Sequence, residues 1–184
     1  MNPVSGRQAT PLEPALPVAA TLIEMGEGAA GPAVLGLPLV EPHPKTRVLV
    51  VEDHPFVREG VVRLLNRQAD LSCCGECETI AATPAAVANE RPDLILLDLN
   101  LKDGYSLDLI GPLCRNFPNT PILVLSQSDD IHTAECALRA GARGYVLKQE
   151  ATEDLLRAIR DALRGKCYVS PALASRLVYK LIRS

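Results

Sequence analysis

The chain has 184 residues, 47% of them hydrophobic and only 3% aromatic, with a formal net charge of −3. That length holds one well-packed domain plus extra segments, and the core must be aliphatic, built from Leu, Val, Ile and Ala. The charge makes no general case for nucleic acid or membrane surfaces, and no apolar run approaches the about 20 residues that span a bilayer.

Residues 1–45 differ from the rest of the chain. They hold eight of the fifteen prolines and five of the twelve glycines, with few charges. Val18 to Met25 has short helical potential, limited by prolines on both sides. The segment reads as a flexible extension, and Met25 is a candidate alternative start. It lacks the basic patch and apolar stretch of a secretion signal, so the expected location is cytoplasmic.

From Arg47 the pattern becomes apolar runs alternating with amphipathic stretches. Val48 to Val51 is a continuous apolar run, suited to a strand covered on both faces, and it ends in Glu52-Asp53. A helix comes next, with Val57, Val61, Leu64 and Leu65 on one face. Leu71 to Cys74 is a second, weaker strand. Thr83-Pro84 predicts an N-cap and first helical position for a short helix over 84–90. Leu94 to Leu97 is a third strand, ending at Asp98. Tyr105 to Arg115 is predicted helical, with Leu109, Ile110 and Leu113 inward. Pro121 to Leu125 is a fourth strand, ending at Ser126. Ile131 to Ala140 is a helix stopped by Gly141. Gly144 to Leu147 is a fifth strand, ending at Lys148. Thr152 caps a helix to Arg164 with Leu155, Leu156, Ile159 and Leu163 on its buried stripe. Tyr168 to Ile182 is read as one further helix, with Leu173, Leu177, Val178 and Leu181 apolar. The expected domains are the 1–45 extension, a folded unit over 46–166, and a terminal helix or linker over 167–184.

Strict alternation of strand and helix implies an α/β fold: a five-stranded parallel sheet with helices on both faces and right-handed crossovers. In such folds the ligand site lies beyond the carboxyl ends of the strands. Here Glu52-Asp53, Asp98, Ser126 and Lys148 all end apolar runs, so a parallel sheet brings them to one edge. Three clustered carboxylates need a cation. An oxygen-only ligand set without His or Cys favours a hard ion, and Mg²⁺ fits. Lys148 adds a fixed positive charge and Ser126 a hydroxyl. Together they suit a phosphoryl group on Asp98, whose developing charge the ion and the ammonium would neutralise.

Glu52-Asp53, Leu96-Leu97-Asp98-Leu99, Leu125-Ser126 and Gly144-Tyr145-Val146-Leu147-Lys148 together resemble the signature set of bacterial response-regulator receivers. The strings Val51-Glu52-Asp53-His54-Pro55, Arg58-Glu59-Gly60 and Ala140 to Tyr145 look like the NarL/FixJ class. Each motif is weak alone, but their order and spacing are specific, and the resemblance covers residues 47–166. It implies the flavodoxin-like receiver fold, strand order 2-1-3-4-5, and a phosphorylation switch that assists its own phosphoryl transfer and hydrolysis. By resemblance, Asp98 is the phosphoacceptor. Glu52, Asp53, Asp98 and the backbone carbonyl of Asn100 hold Mg²⁺. Lys148 pairs with the phosphoryl group, and Ser126 and Tyr145 are the switch pair. Ser126 would move toward the phosphoryl oxygen and Tyr145 would turn into the space left. The implied donor is a sensor histidine kinase or phosphotransfer protein. Homodimerisation is a candidate partnership.

The chain also departs from the family pattern. Lys102 stands where proline is frequent, and Gln127 where a small residue is usual. With Asn100 and Ser128 nearby, these are expected to tune the phosphoryl lifetime. His54, before a proline at a helix start, is assigned no role. A calcium loop is excluded: Asp98-x-Asn100-x-Lys102 imitates its start, but Gly104 is one place late and Leu109 takes the closing Glu position. A dehalogenase-like phosphotransferase would want an acid where Asn100 stands. Cys74 and Cys77 form a CxxC without partners for a zinc site, so the six cysteines read as reduced, mostly buried thiols.

Relatives of this class usually carry a DNA-binding helix-turn-helix after the receiver. A single helix over 167–184 cannot build one. DNA contact is therefore expected only through an output domain outside this sequence, although residues 157–184 hold seven basic residues against one acidic. The alternative is a stand-alone receiver, or a pseudo-receiver that never gains phosphate, acting through protein contacts alone.

Overall fold

The computed structural model describes residues 45–183. The expectation for the proline-rich extension thus lies, but for Lys45, outside the described residues. The main sheet is built from β1 (Thr46–Val51), β2 (Leu71–Cys77), β3 (Leu94–Asp98), and later strands of the same direction. Between them run α1 (Pro55–Asn66) and α2 (Thr83–Glu90). After β3 comes a two-stranded antiparallel hairpin, β4 (Asn100–Leu101) and β5 (Gly104–Tyr105), then α3 (Leu107–Asn116). The sheet continues with β6 (Ile122–Ser126), α4 (Ile131–Ala140), β7 (Gly144–Leu147) and α5 (Thr152–Leu163). The described chain closes with β8 (Tyr168–Val169) and α6 (Pro171–Arg183).

The order across the sheet is β2-β1-β3-β6-β7-β8, with every pairing parallel. The first five match the expected 2-1-3-4-5 order. The sixth strand corrects the expected count of five. Tyr168 and Val169 lie opposite Gly144 and Tyr145, where a continuous helix was expected. Their β-branched and aromatic side chains suit the pleat, and Pro171 starts the helix three residues later than anticipated.

Alternation along the strands divides the core in two. Leu49, Val51, Ile95, Leu97, Ile122, Val124, Tyr145 and Leu147 face one layer, against Val87, Ile110, Leu113, Ala134, Ala137 and Leu173 from α2, α3, α4 and α6. Val48, Val50, Leu94, Leu96, Leu123, Leu125 and Val146 face the other, against α1 and α5. Burial on both faces explains why these strands are continuous apolar runs rather than alternating ones.

Local boundaries shift for identifiable reasons. Thr83 is the first helical residue, not the cap; Ala82 caps, and the Thr83 hydroxyl donates to the Thr79 carbonyl at 2.7 Å. Ala151 likewise replaces Thr152 as the cap of α5. Tyr105 leaves the expected third helix because it pairs with Asn100, beside Gly104 opposite Leu101. β2 runs on to Cys77, with a register shift opposite Val48 and Leu49. Gly141 does stop α4, at a φ of 116° that disfavours any side chain. At Gly144 a Cβ would meet the Tyr168 carbonyl oxygen at 2.6 Å, so close approach of β8 requires glycine there. The cysteines are all free thiols, but only Cys77 is buried; four are half-buried and Cys167 is exposed. Cys73 and Cys74 lie on the edge strand β2, and Cys114 and Cys136 on the helices α3 and α4, which accounts for their partial exposure. No helix among the described residues is long and apolar enough to cross a membrane.

Candidate functional site

The C-terminal ends of β1, β3, β6 and β7 bring Glu52, Asp53, Asp98, Ser126 and Lys148 to one edge of the sheet. Glu52, Asp98 and Ser126 are buried. The Lys148 ammonium lies 2.7 Å from Asp98 Oδ2 and 2.7 Å from Glu52 Oε2. Asp98 Oδ1 accepts the Asn100 N–H at 3.3 Å, and the Asp98 carbonyl accepts the Ser106 hydroxyl at 2.6 Å. Burial, joined by the nearby Glu52 charge, pushes the Asp98 carboxyl above its ordinary range, against the lowering effect of Lys148 and the Asn100 N–H.

The acidic corner fits a hard divalent ion. Glu52, Asp53, His54 and Asp98 can each place a ligand atom within 4.8 Å of the others. Glu52 Oε2 and Asp53 Oδ1 are buried and lack a well-formed hydrogen bond. Their nearest nitrogen neighbours, Lys148 Nζ and His54 Nδ1, touch them at 2.7 Å without good hydrogen-bond geometry. Carboxylate oxygens left this way are what Mg²⁺ takes as ligands.

His54 was not expected here. Its Nδ1 lies 2.7 Å from Asp53 Oδ1 and 3.1 Å from Glu52 Oε1, and its backbone N–H donates to Glu52 Oε1 at 3.0 Å. The cluster therefore does contain a histidine, contrary to the oxygen-only reading. The signal was in the sequence: His54 directly follows the acidic pair, and Pro55 at the helix start fixes its backbone. Arg58 was also missed. Its Nη1 donates to the Glu52 carbonyl at 2.9 Å, and it pairs with Glu76 at 3.0 Å and Glu78 at 2.7 Å.

Lys102 is held by Glu78, so its ammonium is drawn to the β2–α2 loop. Asp103 fastens the same loop, accepting the Ile80 and Ala81 N–H groups at 2.7 and 3.0 Å. Gln127 is exposed directly after Ser126. Ser126 Oγ accepts the Ser128 N–H at 3.1 Å. Tyr145 is fully buried, and its hydroxyl donates to the Ser128 carbonyl at 2.8 Å. The aromatic ring expected to turn inward on switching is thus already buried in this structure.

A parallel α/β sheet with an acidic corner, an aspartate, a hydroxyl and a lysine on successive strand ends defines a receiver. The chain belongs to that family: the response regulator receiver domain matches residues 48–160. It is 31% identical over 139 residues to the oxygen regulatory protein NreC of Staphylococcus carnosus, covering 75% of this chain and 64% of that protein. The chain thus spans less than two-thirds of the length of that relative. Among solved structures, it is similar to a LuxR-family two-component response regulator from Aurantimonas sp. SI85-9A1. The TM-score is 0.71 at 27% identity, covering 76% of this chain and 99% of that one. It is also similar to the isolated receiver domain of RcsB from Salmonella enterica serovar Typhimurium, determined with the phosphomimetic BeF3−. There the TM-score is 0.66 at 28% identity, covering 73% and 99% of the two chains.

Proposed function

We propose that residues 46–166 form a phosphorylation-operated switch in which Asp98 is the phosphoryl acceptor. The observation that carries this reading is the position of Lys148, 2.7 Å from Asp98 Oδ2 in a buried pocket with Glu52. A carboxylate oxygen of Asp98 attacks the phosphorus of a phosphohistidine donor. The new O–P bond forms as the donor's N–P bond breaks, and the imidazole leaves with the electron pair and takes up a proton. Glu52, Asp53, Asp98 and the Asn100 carbonyl would hold Mg²⁺. The ion would supply charge neutralisation on the transferred group. Lys148, now bonded to Asp98, turns its ammonium to the phosphoryl oxygens, and the Ser126 hydroxyl donates to another. Hydrolysis returns the carboxylate and inorganic phosphate, with Gln127 and Lys102 as candidates to tune its rate.

The donor class is a sensor histidine kinase or phosphotransfer protein. Its effect is read through the α4–β7–α5 face, in transcription control as part of a longer regulator that dimerises and contacts DNA through a separate module. Similarity to NreC and to a LuxR-family regulator favours this reading over a receiver that acts without phosphate. Incubation with a small phosphodonor and Mg²⁺ tests it. A mass gain of one phosphoryl group in the wild type, absent in Asp98→Asn, is expected. No gain in the wild type would overturn the proposal.

A further inference from the structure

Ser170 and α6 hold the far side of the switch elements at four points. The Ser170 N–H donates to the Tyr145 carbonyl at 3.0 Å, and Ser170 Oγ accepts the Leu147 N–H at 3.0 Å, directly before Lys148. Ser170 is fully buried, so these bonds are shielded from water. Leu173 is buried in the same core layer as Tyr145. One turn on, Arg176 Nη1 donates to the Asp129 carbonyl at 2.9 Å and lies 3.2 Å from its carboxylate. Lys180 extends the grip, 2.5 Å from Glu135 of α4.

Asp129 lies in the segment that joins Ser126 to α4. That segment is therefore held from both sides. Tyr145 holds the Ser128 carbonyl from the sheet, and Arg176 holds the next carbonyl from α6. Any movement of Ser126 toward a group on Asp98 pulls on Ser128, whose N–H bonds the Ser126 hydroxyl oxygen. Movement of Ser128 must then strain or break the Arg176 contact.

We infer that Arg176, assisted by Ser170, is a positioning residue for the phosphorylation site, fixing the Ser126–Asp130 segment from outside the 46–166 unit and coupling its movement to α6. Phosphorylation and α6 placement are then two sides of one equilibrium, and by reciprocity each biases the other. This coupling rests on Asp98 being the phosphoacceptor. Arg176 is exposed, so its replacement leaves the core intact.

The test uses the full chain with acetyl phosphate and Mg²⁺. Arg176→Ala is expected to raise the phosphorylation rate by about threefold or more, because the contact that switching must break is gone, on the scale of coupling that such non-contacting positions carry. Arg176→Lys, which keeps a cationic donor, is expected to return the rate most of the way to the wild-type value. Hydrogen exchange supplies a readout that a merely stabilising role would not move. In the wild type, phosphodonor changes protection at 128–133 and 173–180 together; in Arg176→Ala only the first segment responds. Ser170→Ala serves as the second variant and should also uncouple them. If the wild type takes up phosphate but Arg176→Ala matches it in rate, or the α6 response persists in both variants, the inference is overturned while the acceptor assignment stands. If the wild type takes up none, the acceptor assignment fails first and the inference falls with it.

Discussion

The Lys148 ammonium sits 2.7 Å from Asp98 Oδ2, and it is the same lysine that faces Glu52 Oε2 at 2.7 Å. One cation therefore serves two buried carboxylates. The arrangement is held together by attraction but retains one excess negative charge, and that imbalance has measurable consequences.

Removing the lysine leaves both carboxylates buried without its ammonium, Asp98 with only the Asn100 N–H and Glu52 with only His54. Lys148→Met is expected to destabilise the fold by about 3 kcal/mol in the absence of divalent ion, the usual cost of breaking a buried pair. Urea unfolding with and without chelator measures it. An unchanged midpoint would show that water, not the lysine, compensates these charges.

Asp98→Asn removes the excess charge instead. The Asp98 carboxyl is raised above its ordinary value of 3.8 in the folded chain, chiefly by burial. A raised folded value favours the protonated fold, so its stabilising effect is complete below the ordinary value and is lost as pH rises through the folded one. At neutral pH the wild type therefore carries a penalty that Asp98→Asn escapes. The variant is expected to be more stable at pH 7 by about 1 kcal/mol, the scale on which single substitutions commonly shift stability. Saturating Mg²⁺ should narrow the gap, and the gap should vanish at acid pH. Thermal melts across pH read the sign, and a variant less stable than the wild type at pH 7 would show that the excess charge is already compensated.

His54 holds the Asp53 carboxylate through its Nδ1 at 2.7 Å. Groups that orient a metal-ligating carboxylate typically contribute about tenfold or more to affinity. His54→Ala is expected to weaken Mg²⁺ binding on that scale, with the unfolding midpoint in chelator little changed. Titration calorimetry with MgCl₂ reads it directly, and equal affinity in the two proteins would remove His54 from the site.

Gly144 meets β8 at its backbone. A Cβ there would lie 2.6 Å from the Tyr168 carbonyl oxygen and 2.7 Å from Leu123 Cδ1. The backbone contact cannot yield without moving β8. Gly144→Ala is expected to cost about 2 kcal/mol, within the usual range for overpacking. Hydrogen exchange at Tyr168, whose N–H is bonded to the Arg143 carbonyl at 3.1 Å, should rise with it. Wild-type exchange in the variant would show that the sheet ends at β7.

Much of the site is legible in the order of residues alone. The four inner strands β1, β3, β6 and β7 are buried on both faces, so each is a continuous apolar run, and the polar residue at its end marks the sheet edge. Glu52, Asp98, Ser126 and Lys148 stand at such ends. Parallel pairing then places them together, because βαβ crossovers all return the chain to the same edge. The cap residues were harder. Thr83 and Thr152 both carry cap chemistry, yet each helix starts one residue earlier than that chemistry suggests. In the first case the Thr79 carbonyl competes for the hydroxyl.

The layered α/β fold, the order of its first five strands and the four strand-end residues are all written in the linear chain, because periodicity and connectivity are local properties. Other outcomes required the folded molecule: His54 and Arg58 join the acidic corner, Glu78 holds Lys102, and Arg176 of α6 grips the segment after Ser126. These depend on side chains meeting across the fold, and no period or spacing encodes which of several exposed charges a given arginine or lysine will reach.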